Sequence, residues 1–185
     1  VTLPGGPASP EQRVRPKHPK NDAVGSKMQT LSSHLVIDQA DAQTIADGEE
    51  VTLMGWGNAV FKSHKADGGK VTAMAATLHL EGDVKKTKLK CTWLTEKDSD
   101  LVELNLQYHS DLITKRKVED DDNIEDLVAK DSLKEVAALG DANMRTLAKG
   151  EIIQLERKGY FIVDAPFVQE GQPMQLISIP DGRMK

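Results

Sequence analysis

The chain has 185 residues, a net charge of −5 and a single cysteine, Cys91. This length predicts one domain or two small ones whose core needs no disulfide or metal. One cysteine excludes a disulfide framework and any multi-cysteine zinc or iron–sulfur site. No apolar run approaches the roughly 18 residues that span a membrane, and the N-terminus lacks a signal-peptide pattern. We therefore expect a soluble, intracellular protein without a membrane partner.

The charges are unevenly distributed along the chain. Residues 98–131 hold eleven acidic and four basic side chains, a local charge of −7, so the other 151 residues sum to +2. Residues 11–30 carry five basic side chains against two acidic ones, and residues 62–97 carry eight lysines against four acids. The chain can therefore present basic faces to a polyanion, because the local field steers association.

Residues 1–29 contain five of the eight prolines and show no apolar period. Proline fixes φ and removes a backbone donor, so a regular ladder is not expected here. We call residues 1–29 the N-terminal arm. Two interpretations stay open: a disordered linker, or an extended segment laid along a partner or along the domain itself.

From residue 30 onward the dominant pattern is an alternation of apolar and polar side chains. A turn signal at Gly68-Gly69 precedes one of these runs. Helical patterns are weaker, at residues 41–47, 123–130 and 141–148. The predicted strands are residues 35–37, 51–54, 71–80, 89–93, 102–108, 150–156, 159–164 and 174–179. At least eight short strands with turn signals predict an all-β barrel or a pair of barrels.

Side chains that carry chemistry are scattered. The five histidines show no metal-ligand spacing, so no metal site is expected. Cys91 shares a strand face with Leu89 and Trp93, which predicts a buried thiol rather than a nucleophile. The acidic run 119–122 lacks the ligand spacing of an EF-hand and precedes a short helical pattern, whose positive end it would favour. These observations predict a binding module rather than an active site.

Several stretches in order resemble one known family, the C-terminal anticodon-binding region of cytoplasmic, eukaryotic-type glutamyl-tRNA synthetases. Glutaminyl-tRNA synthetases share the Q-x-E-R-x-G-Y-F motif, but the TLMGWGNAVF and LEGDVKKTK stretches resemble the glutamyl branch. The matching stretches are KHPKNDAVGSK (17–27), IDQADA (37–42), GEEVTLMGWGNAVF (48–61), GKVTAMAATLHLEGDVKKTKLKCTWL (69–94), LITK (112–115), LGDANMRTLAKGEIIQLERKGYFIVD (139–164) and IPDG (179–182).

The resemblance implies two β-barrels, one inserted into the chain of the other, with short helices in the connections. We expect a proximal barrel formed by residues 30–50 and 133–185, and a distal barrel formed by residues 51–132, with approximate boundaries. The family's parent enzymes join glutamate to tRNA in the cytoplasm with ATP and Mg²⁺. The catalytic signatures H-I-G-H and K-M-S-K-S are missing, so we expect a monomeric piece of the enzyme that binds tRNA-Glu, holds no cofactor or metal and catalyses nothing alone.

The resemblance also implies the site residues. In the relatives the Q-x-E-R-x-G-Y-F motif lies at the pocket for the middle anticodon base, which is uracil for both glutamate and glutamine. Gln154 offers an amide donor and acceptor to that base, and Arg157 offers a fork of donors. Because they are three residues apart, a twist or bulge is needed for them to converge. A structural role, in which Arg157 pairs with Glu156 or another surface acid, stays open.

Further candidates are grouped by the contact that we expect. Lys17, Lys20 and Asn21 match a family segment near the anticodon stem-loop, where a lysine is expected to touch phosphate. Trp56 and Asn58 form a candidate stacking platform, with a core tryptophan followed by an asparagine turn as the alternative.

Lys85, Lys86 and Lys88 are candidate phosphate contacts, with a solvated loop as the alternative. Two other functions stay open. One is a protein-interaction domain that docks other synthetases or assembly factors, with residues 98–131 as its surface. The other is a free-standing ribosomal-RNA-binding protein.

Overall fold

The computed structural model describes residues 1–18, 20–97 and 100–180. Pro19 of the N-terminal arm, the first two residues of the acidic segment 98–131 and the end of the IPDG stretch lie outside the described residues. The strands are β1 (Glu11–Pro16), β2 (Ser26–Leu31), β3 (Leu35–Ile37), β4 (Glu50–Leu53), β5 (Gly57–Asp67), β6 (Lys70–His79), β7 (Lys90–Cys91), β8 (Trp93–Thr95), β9 (Leu101–His109), β10 (Leu133–Asp141), β11 (Ile152–Leu155), β12 (Gly159–Ala165) and β13 (Met174–Ile179). The described helices are short: α1 (Gln39–Ala42), α2 (Ile124–Leu127) and two 3-10 turns, Asp22–Val24 and Ala142–Thr146. The predicted all-β class is therefore confirmed.

The chain forms two compact units. The first comprises residues 1–101 and 141–143, and the second comprises residues 102–140 and 144–185. These units are not coextensive with the predicted proximal and distal barrels. β9 falls within the predicted distal segment, yet it pairs in parallel with β13 near the C-terminus. The barrel boundaries that the resemblance implies stay a prediction.

The first unit is built on a four-stranded sheet in the order β6-β5-β4-β7, with the pairs β1-β2 and β3-β8. Its core includes Leu35, Val51, Leu53, Phe61 and Cys91, which are all nearly or fully buried. The burial of the Cys91 thiol confirms the sequence interpretation. The predicted turn between β5 and β6 is also confirmed, because Gly68 and Gly69 have φ values of 54° and 80° between the paired residues Asp67 and Lys70.

The N-terminal arm is more ordered than its prolines suggest. Thr2 bridges Ala75 and Leu3 is fully buried, so its first residues lie along the domain. β1 then pairs with β2 in an antiparallel hairpin from Glu11↔Leu31 to Pro16↔Ser26. The expectation of no regular ladder is wrong because Pro10 lies just before the strand and Pro16 is its last residue, and a proline at a strand end removes little of the ladder.

The second unit is a five-stranded sheet in the order β10-β9-β13-β12-β11, which makes β11 an edge strand. Alternation decides which side chains face the core. Val102, Leu104 and Leu106 of β9 are at most 2% exposed, and Phe161 of β12 and Leu176 of β13 are fully buried beside them. The opposite face of this sheet is the outer face. It carries the polar and exposed apolar side chains of the same strands.

Candidate nucleic-acid interface

The β1–β2 hairpin carries the first group of candidates at its tip. Lys17, Lys20 and Asn21 are all exposed there. The Lys17 N–H donates to the Gly25 carbonyl at 2.9 Å, which closes the tip. The Asn21 side-chain oxygen accepts from the Ala23 N–H at 3.1 Å and caps the 3-10 turn. The described residues of the tip therefore present two exposed lysines, and the amide nitrogen of Asn21 is the part of its side chain that can reach a ligand.

The strands that lead to this tip are fixed to residues of the same unit. Lys27 pairs with Asp141 at 3.0 Å. Asn143 brackets the backbone of Met28, accepting from its N–H at 3.1 Å and donating to its carbonyl at 2.7 Å. Arg13 donates to the side-chain oxygen of Gln29 and to a backbone carbonyl beyond the hairpin. These contacts fix the two strands directly below the cationic tip.

The lysine loop, residues 81–89, carries the second group. Lys85, Lys86 and Lys88 are exposed, while Thr87 between them is 6% exposed. The Asp83 carboxylate accepts from the Lys85 N–H at 2.9 Å and the Asp83 carbonyl accepts from the Lys86 N–H at 3.0 Å, so a local turn fixes the backbone. The buried threonine turns inward and the three ammonium groups turn outward, which is an arrangement suited to phosphate contacts.

A buried polar network supports the lysine loop. Thr87 Oγ1 lies 2.6 Å from Thr52 Oγ1, and Thr52 donates to the Asn58 side-chain oxygen at 2.8 Å. The Asn58 amide donates to Glu50 at 3.0 Å, and His79 Nδ1 lies 2.7 Å from the same carboxylate oxygen. Hydrogen bonds from Asn58 and then from His79 lower the pKa of Glu50. The carboxylate is therefore charged at neutral pH.

This network decides the position of Asn58, which is fully buried. Its side-chain oxygen and nitrogen both have protein partners, and breaking such buried hydrogen bonds to contact a base would cost more free energy than the new contact would contribute. The structure therefore places Asn58 beneath the lysine loop rather than at a surface that a base could reach. Trp56, two residues earlier, is half-buried and packs against the core.

The ring of Trp56 is fixed by a second tryptophan. Its centroid lies 5.0 Å from that of Trp93, at an interplanar angle of 44°. The Trp93 indole N–H donates to the Met54 carbonyl at 3.0 Å. A shallow groove of about 380 Å³ beside Trp56 is also lined by Arg13 and Leu80. The position of Trp56 thus combines the core role left open by the sequence with access to a surface groove.

The β11–β12 hairpin carries the third group. Gln154 is exposed on edge strand β11 and pairs with Tyr160 on β12, while its neighbours Ile153 and Leu155 pack towards the core. Arg157 is exposed in the connecting turn, where the Lys158 N–H donates to the Leu155 carbonyl at 3.0 Å. The structure thus brings both predicted residues to one end of one hairpin. A tight turn places them there, rather than the twist or bulge expected within a strand.

Arg157 has φ of 67°, and it is the one non-glycine residue with a positive φ among the described residues. The left-handed conformation costs an L-residue roughly 1–2 kcal/mol. Such outliers cluster at functional sites, where the position of a side chain matters more than local strain. The sequence could not reveal the left-handed conformation of Arg157, because Gly159, two residues later, is the residue type expected at a left-handed position.

The described residues include no group of three or more histidine, cysteine, aspartate or glutamate side chains that could hold a metal. Among the helices in the same ranges, none is long and apolar enough to cross a membrane.

Comparison with known families covers most of the chain. Two family models match, both described as the anti-codon binding domain of class I tRNA synthetases (E and Q), one over residues 1–79 and one over residues 90–164. The chain belongs to this family. The resemblance stated from the sequence motifs is therefore confirmed, and the two matched models agree with the two-barrel architecture.

Curated relatives carry the glutamyl name. The chain is 51% identical over 183 residues to the cytoplasmic glutamate–tRNA ligase of Arabidopsis thaliana, and the aligned region covers 98% of this chain and 25% of the relative. It is 41% identical over 177 residues to the cytoplasmic enzyme of Saccharomyces cerevisiae, covering 96% of this chain and 24% of the relative.

A third relative is the bifunctional glutamate/proline–tRNA ligase of Cricetulus griseus, at 39% identity over 186 residues, covering 96% of this chain and 12% of the relative. The chain thus spans about a quarter of the length of the cytoplasmic relatives that it matches. The glutamyl interpretation is favoured over the glutaminyl one.

Proposed function

We propose that this chain is the anticodon-binding region of a glutamate–tRNA ligase and binds the anticodon stem-loop of tRNA-Glu. The observation that carries the proposal is the β11–β12 hairpin, which presents Gln154 and a left-handed Arg157 at one end of an exposed edge. A splayed uracil needs donors for its carbonyls and an acceptor for its ring N–H. An amide and a guanidinium supply both.

In this proposal, different groups of residues recognise the anticodon base and bind the RNA phosphates. Gln154 and Arg157 read the middle base. Lys17 and Lys20 at the tip of the β1–β2 hairpin, with the amide of Asn21, contact the stem-loop backbone, and the three exposed lysines of the lysine loop contact phosphates. Phosphate contacts position the RNA without reading it. Trp56 borders a groove and remains a candidate for stacking, whereas Asn58 supports the lysine loop from below.

The parent enzyme would supply the chemistry. ATP with Mg²⁺ would act in a catalytic region that this chain does not contain, in the cytoplasm where the named relatives work. This region alone would bind tRNA as a monomer. It would form no glutamyl-adenylate, so ATP–pyrophosphate exchange measured with glutamate should stay at background, and exchange above background would contradict this assignment.

Competition binding tests the proposal. The chain is titrated with transcripts of tRNA-Glu, tRNA-Gln and tRNA-Ala at one fixed salt concentration. Tightest binding of tRNA-Glu is expected, with tRNA-Gln next because it shares the middle uracil. Equal binding of all three would refute anticodon recognition, and a preference for tRNA-Gln would transfer the chain to the glutaminyl branch.

A second candidate function is a protein-docking surface between β9 and β10. Leu112 and Ile124 are 71% and 64% exposed in this acidic connection. The connection is ordered, because the Thr114 N–H donates to the Leu127 carbonyl at 2.9 Å. The bifunctional relatives suggest other synthetases as partners. Replacing Leu112 and Ile124 by serine should leave tRNA binding unchanged and abolish co-sedimentation with a synthetase partner; unchanged co-sedimentation would exclude this surface.

A further inference from the structure

The outer face of the five-stranded sheet exposes an aromatic ring that the proposed function has not used. The chain has seven aromatic residues. Phe61 and Phe161 are buried in the two cores, and Tyr108 packs edge-on against Phe161 at 5.7 Å between ring centroids. Trp56 and Trp93 pack on each other, and Phe167 lies under the guanidinium of Arg145 at 5.2 Å. Tyr160 remains, 45% exposed.

Strand alternation explains why this ring points outward. Its neighbour Phe161 is fully buried, so Tyr160 faces away from the core. It lies directly opposite Gln154 on β11 and opposite Ile179 on β13. Residues that are directly opposite in an antiparallel pair have Cβ atoms about 5 Å apart. The ring therefore lies between an amide and an aliphatic side chain.

The next row of this face is aliphatic. Ile152, Ile162 and Ile177 are paired in register across β11, β12 and β13. Ile152 is 64% exposed. Tyr160 thus lies between Gln154 and Ile179, beside an aliphatic row and close to the turn that carries Arg157. A flat ring beside a donor–acceptor amide fits an unpaired nucleobase, which needs a stacking partner for its face and hydrogen bonds for its edge.

We propose that Tyr160 is the stacking residue for the anticodon base that Gln154 and Arg157 read. This inference rests on the proposed function and adds a division of labour to it. The ring binds the face of any base, because every base has a π-face, while the amide and guanidinium distinguish one base edge from another. Tyr160 should therefore contribute affinity without contributing discrimination.

The test combines two variants of Tyr160 with changes at the middle anticodon position of a tRNA-Glu transcript. Tyr160→Leu removes the ring and keeps an apolar side chain, and Tyr160→Phe keeps the ring. The position carries uridine, cytidine or an abasic nucleotide. Leu139→Ala serves as the matched control, because Leu139 is 44% exposed on β10, the other edge strand of the same sheet.

Tyr160→Leu should weaken binding at least about fivefold, the lower end for a base stacked on an aromatic ring, equally for uridine and cytidine. It should not weaken binding of the abasic transcript. Tyr160→Phe and Leu139→Ala should bind like the unchanged chain. Equal losses on all three transcripts, or a loss in Tyr160→Phe as large as in Tyr160→Leu, would overturn the stacking role.

Failure of the proposed function itself has a different signature. The unchanged chain would then bind the uridine and cytidine transcripts equally, and neither more tightly than tRNA-Ala. A chain that discriminates between the transcripts while both Tyr160 variants bind normally would leave the proposed function intact and overturn this inference alone.

Discussion

Replacing Arg157 separates the cost of a strained turn from the value of the side chain that it carries. Arg157→Ala removes the guanidinium but keeps a Cβ in the left-handed conformation, whereas Arg157→Gly removes both. Relief of the left-handed conformation is worth roughly 1–2 kcal/mol. The glycine variant loses about 0.4–1 kcal/mol of this gain, because glycine gives the unfolded chain more conformational entropy. We therefore expect Arg157→Gly to be more stable than Arg157→Ala by about 1 kcal/mol.

Both variants lose the same side-chain contacts, so the comparison isolates the backbone. Urea denaturation and thermal unfolding measure the difference, and 1 kcal/mol corresponds to about 2–4 °C for a chain of this size. Both variants should lose the same affinity for tRNA-Glu, so the more stable glycine variant should bind no better. If Arg157→Ala is as stable as Arg157→Gly, the turn is not left-handed at this position and the argument from strain fails.

Three further predictions concern the lysine loop, salt and acid. A Cβ at Gly82 would lie 2.6 Å from Asn58 Nδ2 and 3.0 Å from His79 Nδ1, so Gly82→Ala should displace the lysine loop and weaken tRNA binding. Gly171→Ala controls for the replacement of a loop glycine in general, because its Cβ would have no atom within 4 Å although its φ is 78°. Equal binding by both variants would contradict the role of the network. Affinity for tRNA should fall with salt at a log–log slope of about −0.7 per phosphate contacted, roughly −2 to −3.5 for three to five contacts, and a slope near zero would show that the lysines are not the RNA surface. Hydrogen bonds from Lys115 and the Glu119 backbone lower the pKa of Asp122 below its ordinary 3.8, so the stability that the ionised carboxylate contributes is complete above pH 3.8 and is lost as the pH falls through the lower, folded-state pKa. Asp122→Asn should therefore reduce the free energy of unfolding at pH 7 and make that free energy fall less steeply in acid. Urea titrations between pH 2 and pH 7 measure both effects, and an unchanged acid profile would count against the Lys115–Asp122 pair.

Strands with one buried face could be predicted from the sequence, and strands without one could not. Alternation in Val102–Tyr108 predicted β9, because its even positions all reach the core. β5 was missed along its whole length, because residues 62–67 are exposed on both faces and the buried residues Asn58, Ala59 and Phe61 do not alternate with exposed ones. The helix predicted over residues 123–130 is limited to Ile124–Leu127, because Val128 is extended and bridges Ile113.

The candidate site was predictable where a motif carried it. Gln154 and Arg157 came from the Q-x-E-R-x-G-Y-F motif, but the left-handed conformation of Arg157 depends on a turn geometry that the local residues do not dictate. Asn58 was predicted to lie in a stacking platform because the sequence does not show which residues its side chain contacts. Glu50 and His79 are 8 and 21 residues away from it, and only the fold brings them together.

The central claim is that the β11–β12 hairpin reads the middle base of the anticodon, and one double-mutant cycle tests it most directly. Gln154→Ala is compared with the unchanged chain on tRNA-Glu transcripts whose middle base is uracil or cytosine, at one salt concentration. Cytosine replaces the ring N–H donor by an acceptor and a carbonyl by an amine, so the native pocket is already mismatched to it. The account predicts that Gln154→Ala loses about 1–3 kcal/mol more on uracil than on cytosine, the scale of a good base-edge contact, with no change in salt slope. An equal loss on both transcripts would contradict base reading by this hairpin.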